Sequence, residues 1–292
     1  MRFVTYRYSE MVSLGLLAED GATLSPLVLP VPLHEAGVRA VIEAGPGARL
    51  ETTGERLRLV DVDVLAPIPR PRRNVFCIGK NYREHVMEFA RSGYDAALSE
   101  DIPEAPIVFS KLPSAVIAPG AAIRHDPRVT QNLDYEAELA VIIGTGGRDL
   151  PVERALDHVW GYTTLNDVTA RDVQKIHKQW LLGKSQDTFC PMGPVAVTRE
   201  HVDLANTRVR CWVNGELRQD GNTNMMIFDV PTLIATISRG ITLEPGDIIA
   251  TGTPAGVGVG FKPPRFLKGG DRIRIEIDGL GVLENDIAEV AA

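Results

Sequence analysis

The sequence predicts an α+β fold that is mainly β, with a small β-rich unit ahead of a larger domain. The last third of the chain alternates apolar and polar residues over short segments, as in Arg272-Ile273-Arg274-Ile275-Glu276-Ile277, and residues two apart share one face of a strand. No strand–helix unit repeats along the chain, so a doubly wound parallel sheet is disfavoured. The stretch Ala66-Pro67-Ile68-Pro69-Arg70-Pro71-Arg72-Arg73 removes three amide donors and favours extended backbone. It reads as a connector (66–73) between a small N-terminal domain (1–65) and a main domain (74–292).

Within 1–65, short apolar pieces at 3–6, 12–17 and 57–60 are separated by Gly and Asp turns, which suits short strands. Residues 74–79 form a buried-strand candidate ending on Gly79, and 82–90 have helical composition stopped by Gly93. The polar stretch 92–106 carries Pro103 and Pro106 and reads as a loop. Its place beside His85 makes it a candidate lid. A strand is expected over the apolar run 139–143, a short helix over 149–158, and a strand over 160–167 that ends on Asp167. Thr169 and Asp172 resemble a capping box with Asp in place of Glu, which predicts a helix from about 170 to 180. Asn214-Gly215 supplies the positive φ angles of a type I′ turn and predicts a hairpin between 209–213 and 216–218. A short helix at 231–238 and a strand at 248–251 follow, then a glycine-rich loop at 252–258.

A chain of 292 residues can bury a large core in one or two domains. Its net charge of −7, without a basic tract, excludes a nucleic-acid or anionic-membrane surface and leaves small substrates as partners. Cys77, Cys190 and Cys211 are too scattered for a disulfide framework or a zinc knuckle. The first ten residues lack an apolar signal core, and no apolar run is long enough to span a bilayer. The expectation is a cytoplasmic protein.

Three groups of residues carry candidate chemistry. Glu136 and Glu138 run into the apolar strand and project from one face, where two like charges are tolerated best with a hard cation between them. An isolated Glu-x-Glu also describes a solvated strand face. Asp167, at a strand end, is a candidate third ligand or a helix-entry residue. His85 and Glu88 lie three apart on a helix, where a carboxylate raises the basicity of an imidazole and orients it, although surface ion pairs share that spacing. Gly183-Lys184-Ser185 lacks the first glycine of a phosphate-binding loop, since position 178 is Lys178.

These pieces together resemble the fumarylacetoacetate hydrolase family from about Asn74 to Ile287. The matching stretches, in order, are Gly79-Lys80-Asn81-Tyr82 with His85 and Glu88, Asp134-Tyr135-Glu136-Ala137-Glu138-Leu139, Asn166-Asp167-Val168-Thr169-Ala170-Arg171-Asp172-Val173-Gln174, Gly183-Lys184-Ser185, and Thr251-Gly252-Thr253-Pro254. The resemblance implies a mixed β-roll catalytic domain, usually a homodimer. It implies that Glu136, Glu138 and Asp167 hold a divalent metal, and that Arg171, Gln174, Lys184 and Thr253 line the substrate pocket. His85 and Glu88 match the pair that handles a water or a proton. Fumarylacetoacetate hydrolase itself supplies a further metal carboxylate where this chain reads Gly79-Lys80-Asn81-Tyr82. The site is therefore similar to those of smaller acylpyruvate-type and 2-hydroxyhepta-2,4-diene-1,7-dioate isomerase-like members, with water completing the metal shell.

Three carboxylates favour Mg2+ or Mn2+, admit Ca2+, and disfavour Zn2+. The expected activity is metal-dependent hydrolysis of a carbon–carbon bond in a 1,3-diketo acid of the acylpyruvate or fumarylpyruvate type, in aromatic-compound or organic-acid catabolism. The catalytic residues would be His85, Glu88 and Lys184. Decarboxylation of an oxaloacetate-type acid, or isomerisation of a 2-oxo-dienoic acid, is the alternative on the same fold. A non-catalytic metal-binding protein is disfavoured, because the His-Glu pair and Lys184 accompany the ligands.

Overall fold

The computed structural model describes residues 1–29, 36–45, 47–94 and 102–290. Its organising element is the strand Ala137–Ile143, buried at every position. A continuous apolar run needs cover on both faces, and the strand has it. Leu139, Val141 and Ile143 enter one core with Val209, Ile275 and Leu233, while Ala140 and Ile142 enter a second with Phe3, Val75 and Ala250.

The strand pairs antiparallel with Val159–Asn166 on one side and with Ile248–Ala250 on the other. The sheet then runs in parallel to Val75–Gly79 and antiparallel to the edge strand Ile107–Lys111. This register brings the C-terminal ends of Val159–Asn166, Ile248–Ala250 and Val75–Gly79 to the N-terminal end of Ala137–Ile143. Chain segments from four strands therefore meet at one end of the sheet. A second sheet, ordered Glu216–Asn222, Arg208–Val213, Arg272–Ile277, Gly281–Glu289 and Ile123–His125, contributes Val209 and Ile275 to the first core. Its hairpin turns at Asn214 (φ 51°) and Gly215 (φ 81°), as the Asn-Gly pair predicts.

The short strands expected in 1–65 are present, but they do not form a sheet of their own. Arg2–Tyr8 pairs with Ala196–Thr198 through Arg2↔Val197 and Phe3↔Ala196, so Met11–Leu17, Thr23–Pro26 and Leu57–Arg58 prolong the large sheet. Phe3, Leu14 and Val38 share a core with Val75 and Ala196, and Ala66 and Ile68 of the connector are buried with them.

Two helix expectations need correction. The segment 149–158 is a 3₁₀ helix, Val152–His158, entered after Pro151. The helix expected over 170–180 is Arg171–His177; Lys178, at φ 57°, breaks it, and a second helix follows at Leu181–Lys184. Nor do Thr169 and Asp172 form a capping box: the Thr169 hydroxyl donates to the Asp167 carbonyl, and Asp172 accepts from Thr130 and Gln131. The fold-back packs Gly183 against the first helix, where a Cβ would lie 2.7 Å from the Gln174 nitrogen. The helix expected at 82–90 is Arg83–Arg91. Of the candidate lid at 92–106, residues 95–101 lie outside the described residues. No helix among the described residues is long and apolar enough to cross a membrane.

Candidate active site

Glu138 is the second residue of Ala137–Ile143, and Glu136 stands two positions before it. Ala137 pairs with Asn166, so Asp167, one step further, faces Glu136 and donates its amide to the Glu136 carbonyl at 2.9 Å. Carboxylate oxygens of Glu136, Glu138 and Asp167 lie within 4.8 Å of one another, and all three residues are buried. The three predicted ligands thus form one cluster.

Three buried cations surround it. Lys184 Nζ lies 2.7 Å from Glu136 Oε2 and 2.8 Å from Asp167 Oδ2. The helix break at Lys178 makes this reach possible, because it folds Leu181–Lys184 back toward the strand ends. Arg171 places Nη2 2.7 Å from Glu136 Oε1, donates from Nε to Asp134 Oδ2 at 2.8 Å, and from Nη1 to Gln174 Oε1 at 3.3 Å. Lys111 donates to Asp167 Oδ1 at 2.6 Å, to the Val168 carbonyl at 3.0 Å, and to the Lys184 carbonyl.

Charge balance shows which carboxylate is left over. Asp134, Glu136, Glu138 and Asp167 are four buried acids, facing Lys111, Arg171 and Lys184. Burial works against the charge of Glu136, but Lys184, Arg171 and His85 hold its carboxyl well below the usual carboxylate range. Burial likewise disfavours the Lys184 ammonium, and Asp167 and Glu136 overcome it. Glu138 instead accepts the Gly252 amide at 2.8 Å and forms no ion pair among the described residues. Burial, reinforced by Asp167 and Glu136, pushes its carboxyl well up. A divalent cation held among the three carboxylates would offset this surplus of negative charge. The donor set is all oxygen, so the residues fit a hard metal ion.

His85 of the predicted dyad lines a cavity beside the acidic cluster, with Glu88 behind it. His85 Nδ1 lies 3.4 Å from Glu88 Oε2, and the His85 ring stacks on Phe89 with centroids 6.0 Å apart. Glu88 is held by the Gly256 amide at 3.0 and 3.1 Å from its two oxygens. Gly256 has φ +103°, and a Cβ there would meet the Arg218 carbonyl oxygen at 1.9 Å, so only glycine presents this amide. The cavity is lined by His85, Glu136, Arg171, Gln174, Lys184 and Thr253, with Lys80 beside them. The Thr253 hydroxyl donates to the Ala137 carbonyl at 3.0 Å and accepts from Gln219 Nε2 at 2.7 Å, so toward a ligand it has acceptor capacity only.

Sequence reasoning missed Lys111, Asp134 and Gln219. Lys111 ends the edge strand Ile107–Lys111 with no acidic neighbour in sequence, and its only local signal is a lysine closing an apolar segment. Asp134 shares the two-residue spacing of Glu136 and Glu138, a signal that went unused.

Residues 74–288 match the family model described as fumarylacetoacetate (FAA) hydrolase C-terminal. The chain is 54% identical over 230 residues to oxaloacetate tautomerase YisK of Bacillus subtilis, covering 78% of this chain and 74% of that protein. It is 42% identical over 298 residues to the mitochondrial oxaloacetate tautomerase fahd2 of Xenopus laevis, covering 98% of this chain and 90% of the other. Among solved structures, a fumarylacetoacetate hydrolase from Exiguobacterium antarcticum superposes with a TM-score of 0.84 at 42% identity, over 99% of this chain and 100% of that one. The buried acidic cluster, the His-Glu pair and the match over most of the chain agree: the protein belongs to the fumarylacetoacetate hydrolase family.

Proposed function

We propose that the protein catalyses keto–enol tautomerisation of a small 2-oxo diacid of the oxaloacetate type. The observation that carries this reading is His85, a proton-handling residue with Glu88 behind it, on the wall of the cavity that also presents Glu136, Arg171 and Lys184. The relatives from Bacillus subtilis and Xenopus laevis, both named oxaloacetate tautomerases, support it.

Glu136, Glu138 and Asp167 are the residues to hold Mg2+ or Mn2+, and when bound the ion supplies Lewis-acid polarisation of a 2-oxo group. The remaining steps belong to the chain's own side chains. Arg171 and Gln174 bind and orient the carboxylate next to the 2-oxo group. Lys184 offsets the negative charge that gathers on the 2-oxygen when the adjacent C–H bond breaks. Glu88 occupies the Nδ1 side of His85, which leaves Nε2 to take the proton from C3 and deliver it to the 2-oxygen, or to carry it the opposite way. The net change is one proton moved between carbon and oxygen.

Sequence motifs alone favoured hydrolysis of a 1,3-diketo acid, which needs a positioned water besides this machinery. Tautomerisation needs only the proton carrier, and the names of these two relatives favour it. Hydrolysis stays as the second reading, supported by the name of the Exiguobacterium antarcticum structure. Decay of enol absorbance in fresh oxaloacetate solution, with Mg2+ and with chelator, tests the first reading beside an acylpyruvate panel. Metal-dependent acceleration of enol decay is expected; cleavage of acylpyruvates without any effect on the enol would overturn it.

A further inference from the structure

The loop after Ile248–Ala250 carries more than the amide that holds Glu88. Gly252 donates to Glu138, Gly256 to Glu88, and Gly258 and Val259 donate to the two oxygens of Asp134 at 2.6 and 3.0 Å. One loop thus grips a carboxylate of the acidic cluster, the partner of His85, and the partner of Arg171. Its glycines are dictated by close approach: a Cβ on Gly258 would lie 2.5 Å from the Arg265 carbonyl oxygen and 2.6 Å from Asp134 Oδ1.

Asp134 has no exposed surface, and its own neighbour adds a further donor, Tyr135 N at 2.9 Å. With Arg171 Nε at 2.8 Å, the carboxylate accepts four hydrogen bonds, three of them from backbone. A carboxylate so held cannot turn, and a guanidinium bonded to it through Nε inherits that fixed frame. Arg171 is then left to face Glu136 and Gln174 with its two terminal nitrogens, on the cavity wall.

We propose that Asp134 is a positioning residue: anchored by the Gly258 and Val259 amides, it aims Arg171 at the substrate carboxylate. This rests on the site reading above, in which Arg171 binds that carboxylate. Asp134 does not line the cavity, and the cavity-lining side chain it bonds is Arg171. In Asp134→Asn the amide group turns a donor toward a backbone N–H and gives up the charge that pairs with Nε.

The test compares Asp134→Asn with the unaltered protein, loaded with Mn2+. Oxalate binding, read by calorimetry, reports on the carboxylate site without turnover. Expected for the variant are an oxalate Kd and an oxaloacetate KM raised about tenfold or more, with kcat and Mn2+ affinity within about threefold. Oxalate affinity equal to that of the unaltered protein, or a fall in Mn2+ affinity as large as the fall in oxalate affinity, overturns the proposal. Should the unaltered protein bind no oxalate, the site reading itself fails, which is a different result. If the variant does not fold, the Arg171 Nε–H proton in the unaltered protein decides by NMR. Slow solvent exchange, unchanged by oxalate, supports a fixed guanidinium; fast exchange refutes it.

Discussion

The ammonium of Lys111 lies 2.6 Å from Asp167 Oδ1, and neither side chain exposes any surface. The same ammonium reaches the carbonyls of Val168 and Lys184, so one buried cation ties an acidic-cluster residue to the backbone that delivers Lys184. Lys111→Met keeps the volume and removes all three donors. It leaves Asp167 short of a counter-charge and two carbonyls unpaired, and breaking a buried pair from one side costs about 3–5 kcal/mol. Chemical denaturation should show a loss of that order. A change under about 1 kcal/mol would mean that Lys111 is dispensable to the cluster.

Metal binding should be linked to pH through Glu138. Its carboxyl is raised in the folded, metal-free protein, chiefly by burial, so the native state keeps a proton that the unfolded chain has released. With more protons bound in the native state, stability falls as pH rises above the ordinary carboxylate value. A metal ion needs Glu138 ionised and displaces that proton, so its affinity rises over the same range. Glu136 has the opposite sign: its carboxyl is depressed, and its contribution is lost only below the ordinary carboxylate value. The rise in Tm produced by Mg2+ or Mn2+ should therefore be larger at about pH 8 than at about pH 5. Glu138→Gln should weaken metal binding and flatten this dependence. Unaltered calorimetric binding in that variant would remove Glu138 from the ligand set.

What the sequence shows of the site is what lies close together along the chain or repeats a pattern. Glu136 and Glu138 were legible because a strand places alternate residues on one face, and His85 with Glu88 because a helix brings residues three apart into contact. Asp167 was legible as a strand-end carboxylate. Lys111 was not: its partners are 56 and 73 residues away, and nothing near it announces burial of a charge. The pairing of Arg2–Tyr8 with Ala196–Thr198 was hidden for the same reason, so the N-terminal strands read as a separate unit. The helix over 170–180 failed on Lys178, a residue type that gives no warning of a positive φ.

Glu88 can be disturbed without altering it. A Cβ on Gly260 would lie 1.9 Å from Glu88 Oε1, and that oxygen ends a flexible side chain that can move aside. Gly260→Ala should displace Glu88 from its place beside His85 and lower kcat by about tenfold, part of the usual general-base contribution. Metal affinity should stay within about threefold, because the acidic cluster is untouched. Wild-type kcat in a folded Gly260→Ala protein would show that Glu88 does not need that place.

The proton carrier itself gives the sharpest test. If His85 moves the C3 proton, His85→Ala should lower kcat for oxaloacetate tautomerisation by about 10²–10⁴-fold, the usual size of a general acid–base contribution. KM should change little, because Arg171 and Gln174 still bind the carboxylate, and metal affinity should change little, because His85 is outside the cluster. Exchange of deuterium from solvent into C3, followed by NMR, reports the proton transfer directly and is separate from carbon–carbon bond cleavage. The unaltered protein should accelerate that exchange, and His85→Ala should lose most of the acceleration. In a hydrolase, His85 would act on water: the variant would lose acylpyruvate cleavage while C3 exchange continued at the unaltered rate. Continued exchange in His85→Ala would therefore take the proton from His85 and return the site to the hydrolytic reading.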